Sequence, residues 1–119
     1  MTTTFDFLSR EPSLRPYKRG QTIFKQGDPG ADCMFAVVEG AVDIELGDAV
    51  VERLVPVTVF GEMALIDQRP RSASARAATD CSLAVIDKKR FLRLVELTPH
   101  FALHMMQVIS ERLRRASAS

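Results

Sequence analysis

The segment FGEMALIDQRPRSASARA, residues 60–77, contains the side chains best suited to chemistry. A glycine–glutamate pair, Gly61 and Glu62, is followed by Arg71 and Ser72, with nine residues from the glutamate to the arginine. A guanidinium fork fits phosphate oxygens, and a carboxylate accepts hydrogen bonds from sugar hydroxyl groups. Glycine lets a ligand approach the backbone, and free N–H groups at a helix start bind anions. The pattern indicates a site for a phosphorylated sugar, with Glu62 on a ribose hydroxyl and Arg71 on the phosphate.

A simpler interpretation of the same residues is an ion pair between Glu62 and Arg71 on an exposed loop. Such a pair would contribute little to stability, because water screens it. The residues alone leave both interpretations open.

Strand patterns occupy the chain before and around this segment. Val42, Ile44 and Leu46 alternate with acidic residues, and the next strand sets Val50, Glu52 and Leu54 against Val51, Arg53 and Val55. Short strands without intervening helices predict a mainly β fold with flanking helices, an antiparallel jelly-roll barrel (double-stranded β-helix) over residues 17–87. Residues 1–16, with two prolines, predict an irregular or short helical lead-in.

Two helices are predicted after the barrel, over residues 88–115. Asp87 is a suitable N-cap for a helix over 88–96, and Thr98 followed by a proline begins a second one over 99–115. The second helix is amphipathic, with one apolar stripe and flanking apolar residues that either enter the core or form a dimer interface. The stripe is Ala102, Met106, Ile109 and Leu113, flanked by Phe101, Met105 and Val108. Residues 17–119 are thus predicted to form a single domain.

Composition excludes several classes of function. The 119 residues carry 16 basic and 15 acidic side chains, so the net charge of +1 gives no field that would collect nucleic acid. The apolar runs are far shorter than the ~20 residues of a membrane span, and the first residues lack the plan of a signal peptide. We therefore expect a cytoplasmic globular protein.

The cysteines and histidines do not form a complete metal-binding pattern. Cys33 and Cys81 are predicted to be buried reduced thiols, although a disulfide between them remains an open alternative. His100 and His104 lie four residues apart on a predicted helix, a spacing that can bind zinc, but no third ligand is evident. We expect two partly exposed histidines and no cofactor, and keep a cupin-type metalloenzyme as a further alternative.

The segment 60–77 resembles the phosphate-binding cassette of the cyclic nucleotide-binding domain family, whose pattern is approximately F-G-E-[LM]-A-L…P-R-[SAT]-A. The upstream stretch YKRGQTIFKQGDPGADCMFAVVEGAVDI resembles the opening strands of the same family, in its catabolite-activator and Fnr-like branch. The similarity extends from Tyr17 to Arg115. It implies a short cassette helix, with Glu62 holding the ribose 2′-hydroxyl and Arg71 the cyclic phosphate. The implied ligand-binding residues are Gly61, Glu62, Met63, Ala64, Arg71, Ser72 and Ala73.

This chain departs from the family pattern just before the cassette. The family has a Gly-Asp turn before its F-G-E motif, whereas this chain has VPVTV, where Pro56 must bend the backbone instead. Ser72 stands where a threonine is the other common choice, which favours cyclic AMP over cyclic GMP. The resemblance implies a non-enzymatic sensor in which the C-terminal helix closes over the ligand and shifts on binding.

The chain ends at Ser119 without a helix-turn-helix, so we expect no direct DNA binding by this polypeptide. Partners would be the nucleotide, a second copy through the C-terminal helix, or an effector protein in trans. A second hypothesis keeps the fold as a ligand-free interaction domain whose pocket is vestigial or filled by its own residues.

Overall fold

A computed structural model describes residues 14–30, 33–56, 58–62, 65 and 69–118 of the protein. In this part of the chain eight strands are followed by two helices. The strands are β1 Leu14–Tyr17, β2 Thr22–Phe24, β3 Cys33–Glu39, β4 Val42–Leu46, β5 Ala49–Leu54, β6 Val59–Phe60, β7 Ser74–Ala77 and β8 Cys81–Asp87, and the helices are α1 Lys88–Leu97 and α2 Pro99–Ala118.

The strands form two four-stranded antiparallel sheets. Sheet 1 has the order β1-β8-β3-β6 and sheet 2 the order β2-β7-β4-β5. Neighbours in each sheet are mostly distant in sequence, as in a jelly roll. The predicted mainly β fold with two C-terminal helices is confirmed.

The main core lies between the two sheets. Phe35, Val37 and Leu83 from sheet 1 pack in one cluster with Val42 and Leu54 from sheet 2. The alternation predicted the buried face only in part, because Leu46 and Val50 are 47% and 53% exposed, next to a shift in the register between β4 and β5.

The helices cover the opposite face of sheet 1. Met34 and Ile86 are fully buried against Leu94 of α1 and against Phe101 and Met105 of α2. Sheet 1 is thus buried on both faces, which explains why four consecutive residues of β3 are buried.

The predicted apolar stripe of α2 is not the face that this helix buries. Phe101 and Met105 enter the core, whereas Met106 and Leu113 are 61% and 64% exposed. The helix is rotated in this way because Phe101 packs edge-on against Phe91 of α1, with ring centroids 5.5 Å apart. Of the two destinations left open for the flanking residues, Phe101 and Met105 take the core.

Some boundaries differ from those predicted. β1 begins at Leu14, three residues before the expected start at Tyr17, and α2 continues to Ala118. Pro16 is compatible with β1 because this strand lies at the edge of its sheet, where one side needs no hydrogen-bond donor. The lead-in over residues 1–13 lies outside the described residues, as does most of the cassette helix.

Asp87 caps α1 as predicted, since its carboxylate accepts a hydrogen bond from the backbone N–H of Arg90 at 2.7 Å. The N–H of Thr98 donates to the carbonyl of Leu94 and ends α1, and α2 begins at Pro99. Neither helix is long and apolar enough, over its described residues, to cross a membrane.

Both cysteines are free thiols, as predicted. Cys81 is buried, and this burial raises the pKa of its thiol. Cys33 is half-buried at the start of β3.

Gly40, in the turn between β3 and β4, is expected to be irreplaceable. Its φ is +84°, and an added Cβ would lie 2.4 Å from the carbonyl oxygen of Asp80. Gly20 has the same φ of +84° but open space around it. We expect Gly40→Ala to lower the melting temperature clearly more than Gly20→Ala, since only the former adds a clash to the backbone strain of about 1–2 kcal/mol. Thermal unfolding followed by circular dichroism measures both, and equal losses would contradict the close contact.

Candidate functional site

A cavity of about 620 Å³ opens between sheet 2, the segment 60–73 and helix α2. This volume lies within the range of small-molecule sites. Of the residues implied by the sequence, five line it: Gly61, Glu62, Arg71, Ser72 and Ala73. Met63 and Ala64 lie outside the described residues. The sequence did not indicate the other lining residues, Phe24, Ile44, Glu52, Phe60, Arg69, Pro70, Ile109, Arg112 and Leu113.

The turn after β2 fixes the backbone of Arg71. The N–H of Arg71 donates to the carbonyl of Asp28, and the N–H of Gly27 donates to the carbonyl of Arg71, both at 2.8 Å. The turn is itself held by the Asp28 carboxylate, which accepts from the N–H of Lys25 at 2.9 Å. The Gly-Asp-Pro-Gly turn predicted from sequence therefore positions the arginine.

The side chain of Arg71 points into the molecule and is 9% exposed. Its Nη1 donates to the carbonyl of Gly61 at 3.1 Å and its Nη2 to the carbonyl of Cys33 at 3.2 Å. The guanidinium also lies 4.3 Å from the centroid of the Phe24 ring, a favourable cation–π contact. Backbone dipoles and an aromatic face thus stabilise this buried charge.

Gly61 is required where the backbone passes Arg71. Its φ is +74°, and a Cβ at this position would lie 2.8 Å from Nη1 of Arg71. Any larger residue would displace the guanidinium, so the glycine and the arginine depend on each other.

Glu62 is 4% exposed and forms an ion pair with Arg112 of α2. Nη2 of Arg112 also donates to the carbonyl of Val59 at 2.7 Å. The C-terminal helix is therefore connected directly to the segment around Gly61. The alternative of an exposed Glu62–Arg71 surface pair is wrong, because both side chains are buried.

The sequence analysis did not identify Arg112. A signal was present: Arg112 follows the buried residues Phe101 and Met105 and the partly buried Val108 at spacings of four, three and four along α2. These spacings place it on the same helix face. A charged residue on a buried helix face requires a partner, and here the partner is Glu62.

Two polar atoms at this site have no hydrogen-bond partner among the described residues. They are Oε2 of Glu62 and Nε of Arg71, and both are buried. A buried polar atom without a partner costs about 1–3 kcal/mol. One acceptor and one donor are therefore available to a ligand with a hydroxyl group and an anionic oxygen.

Pro56 does bend the backbone before the F-G-E motif. The N–H of Thr58 donates to the carbonyl of Val55 at 3.0 Å and closes a turn around the proline. The carbonyl of Thr58 accepts from the N–H of Val37 at 2.9 Å, which joins this turn to β3. Although this chain lacks the Gly-Asp turn of the family pattern, Gly61 and Glu62 still line the pocket.

The histidines lie on α2, with His100 exposed and His104 half-buried. Burial lowers the pKa of His104, and the nearby carboxylate of Glu111 partly opposes this effect. Among the described residues no group of three or more His, Cys, Asp or Glu side chains is placed to hold a metal ion.

The sequence model described as "Cyclic nucleotide-binding domain" matches residues 14–98. Among curated relatives, the cyclic AMP receptor protein of Thermus thermophilus is 36% identical over 86% of this chain and 49% of its own length. A cyclic nucleotide-gated potassium channel of Mesorhizobium japonicum is 41% identical over 94% of this chain and 30% of its own length. The chain thus spans half or less of the length of these relatives.

Solved structures show the same fold. The Thermus thermophilus catabolite activator protein superimposes with a TM-score of 0.82 and 32% identity, covering 97% of this chain and 56% of that one. A structure from work on a cyclic-GMP-dependent signalling pathway in bacterial phytopathogenesis gives a TM-score of 0.81 and 31% identity, covering 97% and 95%.

The ion pair of Glu62 is expected to stabilise the fold. In Arg112→Met the methylene groups remain but the buried carboxylate loses its cation, so we expect a loss of about 2–4 kcal/mol in the free energy of unfolding. The control is Arg76→Met, which removes a longer contact with Glu45, at 3.4 Å, in which the arginine side chain is 49% exposed, and which should cost less than about 1 kcal/mol. Urea unfolding measures both, and similar losses would contradict a buried, structural ion pair.

Proposed function

The chain belongs to the cyclic nucleotide-binding domain family, and from that membership we propose that it is a non-enzymatic, cytoplasmic module that binds and senses a cyclic nucleotide. The observation that carries this proposal is the pair of buried, unpartnered atoms on Glu62 and Arg71 in one cavity. A ribose hydroxyl supplies the donor and a cyclic phosphate the acceptor that these atoms lack.

In the proposed complex Glu62 accepts a hydrogen bond from the ribose 2′-hydroxyl, and Arg71 donates from Nε to the cyclic phosphate. Ser72 is exposed and Ala73 half-buried at the mouth of the pocket, where a hydroxyl and a backbone amide add donors for the phosphate. Gly61 allows the ligand to approach the backbone. Met63 and Ala64 complete the proposed cassette on the basis of family resemblance alone.

We propose cyclic AMP as the preferred nucleotide, because Ser72 stands where the family's other common choice is threonine. Relatives named as cAMP-dependent or cAMP-activated regulators support this choice. The similar structure from a cyclic-GMP-dependent pathway indicates that cyclic GMP also belongs among the ligands to be tested.

The proposed signal is a shift of α2. Arg112 pairs with Oε1 of Glu62 and the ribose is proposed to bind Oε2, so a nucleotide that engages Glu62 alters the carboxylate that holds the helix. The helix then changes position to the extent that the ligand binds one arrangement more tightly than the other. The effector that reads this shift is proposed to be another protein, or a second copy of the chain through α2.

A second candidate function is a ligand-free interaction domain. The observation that favours it is again the Glu62–Arg112 pair, because a side chain of the protein already occupies one of the groups that the nucleotide would use. The two candidates give opposite results in a binding titration.

Calorimetric titration with cyclic AMP and cyclic GMP tests the proposal. We expect the parent chain to bind, and Arg71→Ala to lose at least about tenfold in affinity because it removes a charge-assisted hydrogen bond to the phosphate. Arg76→Ala is the matched control, since Arg76 lies on β7 with an exposed side chain that contacts Glu45. No binding by the parent would leave the interaction-domain alternative, and equal binding by Arg71→Ala would exclude the proposed role of Arg71.

The helix shift is tested by a distance measurement between spin labels. Labels at Leu103→Cys on α2 and Val51→Cys on β5, both exposed positions, would be placed in a background of Cys33→Ser and Cys81→Ser. We expect the distance distribution to change on addition of cyclic AMP in the parent background, and to be already altered without nucleotide when Arg112→Met is added. A distance distribution that is unchanged at a saturating concentration of cyclic AMP would contradict the proposed signal.

A further inference from the structure

Glu52 contributes a second carboxylate to the pocket, on the side of sheet 2 opposite to Arg71. Arg71 lies over the ring of Phe24 on β2, at one edge of this sheet, and Glu52 lies on β5, at the other edge. Three strand spacings separate these edges, about 14 Å along the sheet. Both side chains line the same cavity, so a ligand that spans it can meet Arg71 at one end and Glu52 at the other.

Glu52 points toward the interior rather than toward solvent. It is paired with Ile44, which is paired in turn with Ala75, and residues directly opposite in neighbouring strands share a face of the sheet. Ala75 is fully buried, and so is Leu54, two residues beyond Glu52 on the same strand. The intervening Arg53 faces solvent. Glu52 therefore places a carboxylate in a row of residues across sheet 2 whose other members, Ile44 and Ala75, are apolar.

The surroundings of Glu52 fit the flat faces of a base. Ile44 lies beside it on β4, while Ile109 and Leu113 of α2 line the same cavity. Leu113 is 64% exposed, so it offers apolar surface that a base would cover. The phosphate and ribose groups of the proposed ligand are at the Arg71 side, which leaves this side for the base.

We propose that Glu52 reads the base of the bound nucleotide and favours guanine, so that the pocket accepts cyclic GMP alongside cyclic AMP. This inference rests on the proposed function. An ionised carboxylate only accepts hydrogen bonds, and guanine presents two adjacent donors, N1–H and the 2-amino group. Adenine presents its 6-amino donor next to N1, an acceptor that a carboxylate repels. Glu52 thus acts against the preference for cyclic AMP attributed to Ser72.

The test is Glu52→Gln, titrated with both nucleotides in the full chain. Glutamine has the same shape but both donates and accepts, as adenine requires. We expect the affinity for cyclic GMP to fall and that for cyclic AMP to hold or rise, so that the ratio of the two affinities moves toward cyclic AMP by about tenfold or more. Glu39→Gln, at the exposed end of β3, is the matched control and should leave the ratio unchanged.

The outcomes separate this inference from the proposed function. If the parent binds neither nucleotide, both are wrong. If the parent binds and the ratio in Glu52→Gln stays within about twofold of the parent, only the role of Glu52 is wrong. Cyclic inosine monophosphate, which lacks the 2-amino group, provides a readout that needs no variant to fold: the parent should bind it more weakly than cyclic GMP, and equal affinity would overturn the inference.

Discussion

The buried guanidinium of Arg71 is the constraint on which the site depends. Arginine keeps its charge at any pH a protein experiences, so a nearly buried arginine must be met by oriented dipoles or counter-charges. Here the carbonyls of Gly61 and Cys33 and the ring of Phe24 meet it. The three groups come from three separate segments, namely the end of β6, the start of β3, and β2. These segments must all meet for the Arg71 side chain to be held.

The two buried charges of the pocket are satisfied in different ways. Arg71 is held by parts of the β-sheets that also form the core, whereas Glu62 has its ionic partner on α2. The positive group is therefore part of the rigid scaffold, and the negative group couples that scaffold to the helix. Glu62 is therefore the point at which the buried charges of the pocket meet α2.

The sequence predicted the parts of this structure that depend on local pattern. Alternation in β4 and β5, the capping by Asp87 and the cassette motif were sufficient for the fold class, the first helix boundary and five of the pocket residues. The contribution of α2 could not be predicted as well, because an amphipathic helix with two adjacent apolar stripes does not specify which one is buried. Packing of Phe101 against Phe91 decides that rotation, and the rotation in turn brings Arg112 to Glu62.

Glu52 shows a different limit of sequence reasoning. Its pairing with Ile44 and the burial of Leu54 show that it faces inward, but an acidic residue at an inward position indicates no function until the cavity beside it is known. It lies on β5, at the edge of sheet 2, and is separated by β4 from the strand β7 that ends the motif. Pattern recognition centred on a contiguous motif does not reach such a residue.

The break between the helices at Thr98 has a mechanical consequence. Thr98 has φ −139° and ψ 83°, outside the helical region, so α1 and α2 are two rods joined at one residue. Arg112 lies fourteen residues beyond this joint, about 21 Å along α2. A rotation of only about 10° at the joint moves the guanidinium by about 4 Å, more than the length of a hydrogen bond. The helix thus has the geometry of a long lever, in which a small rotation at Thr98 corresponds to a large displacement near Arg112.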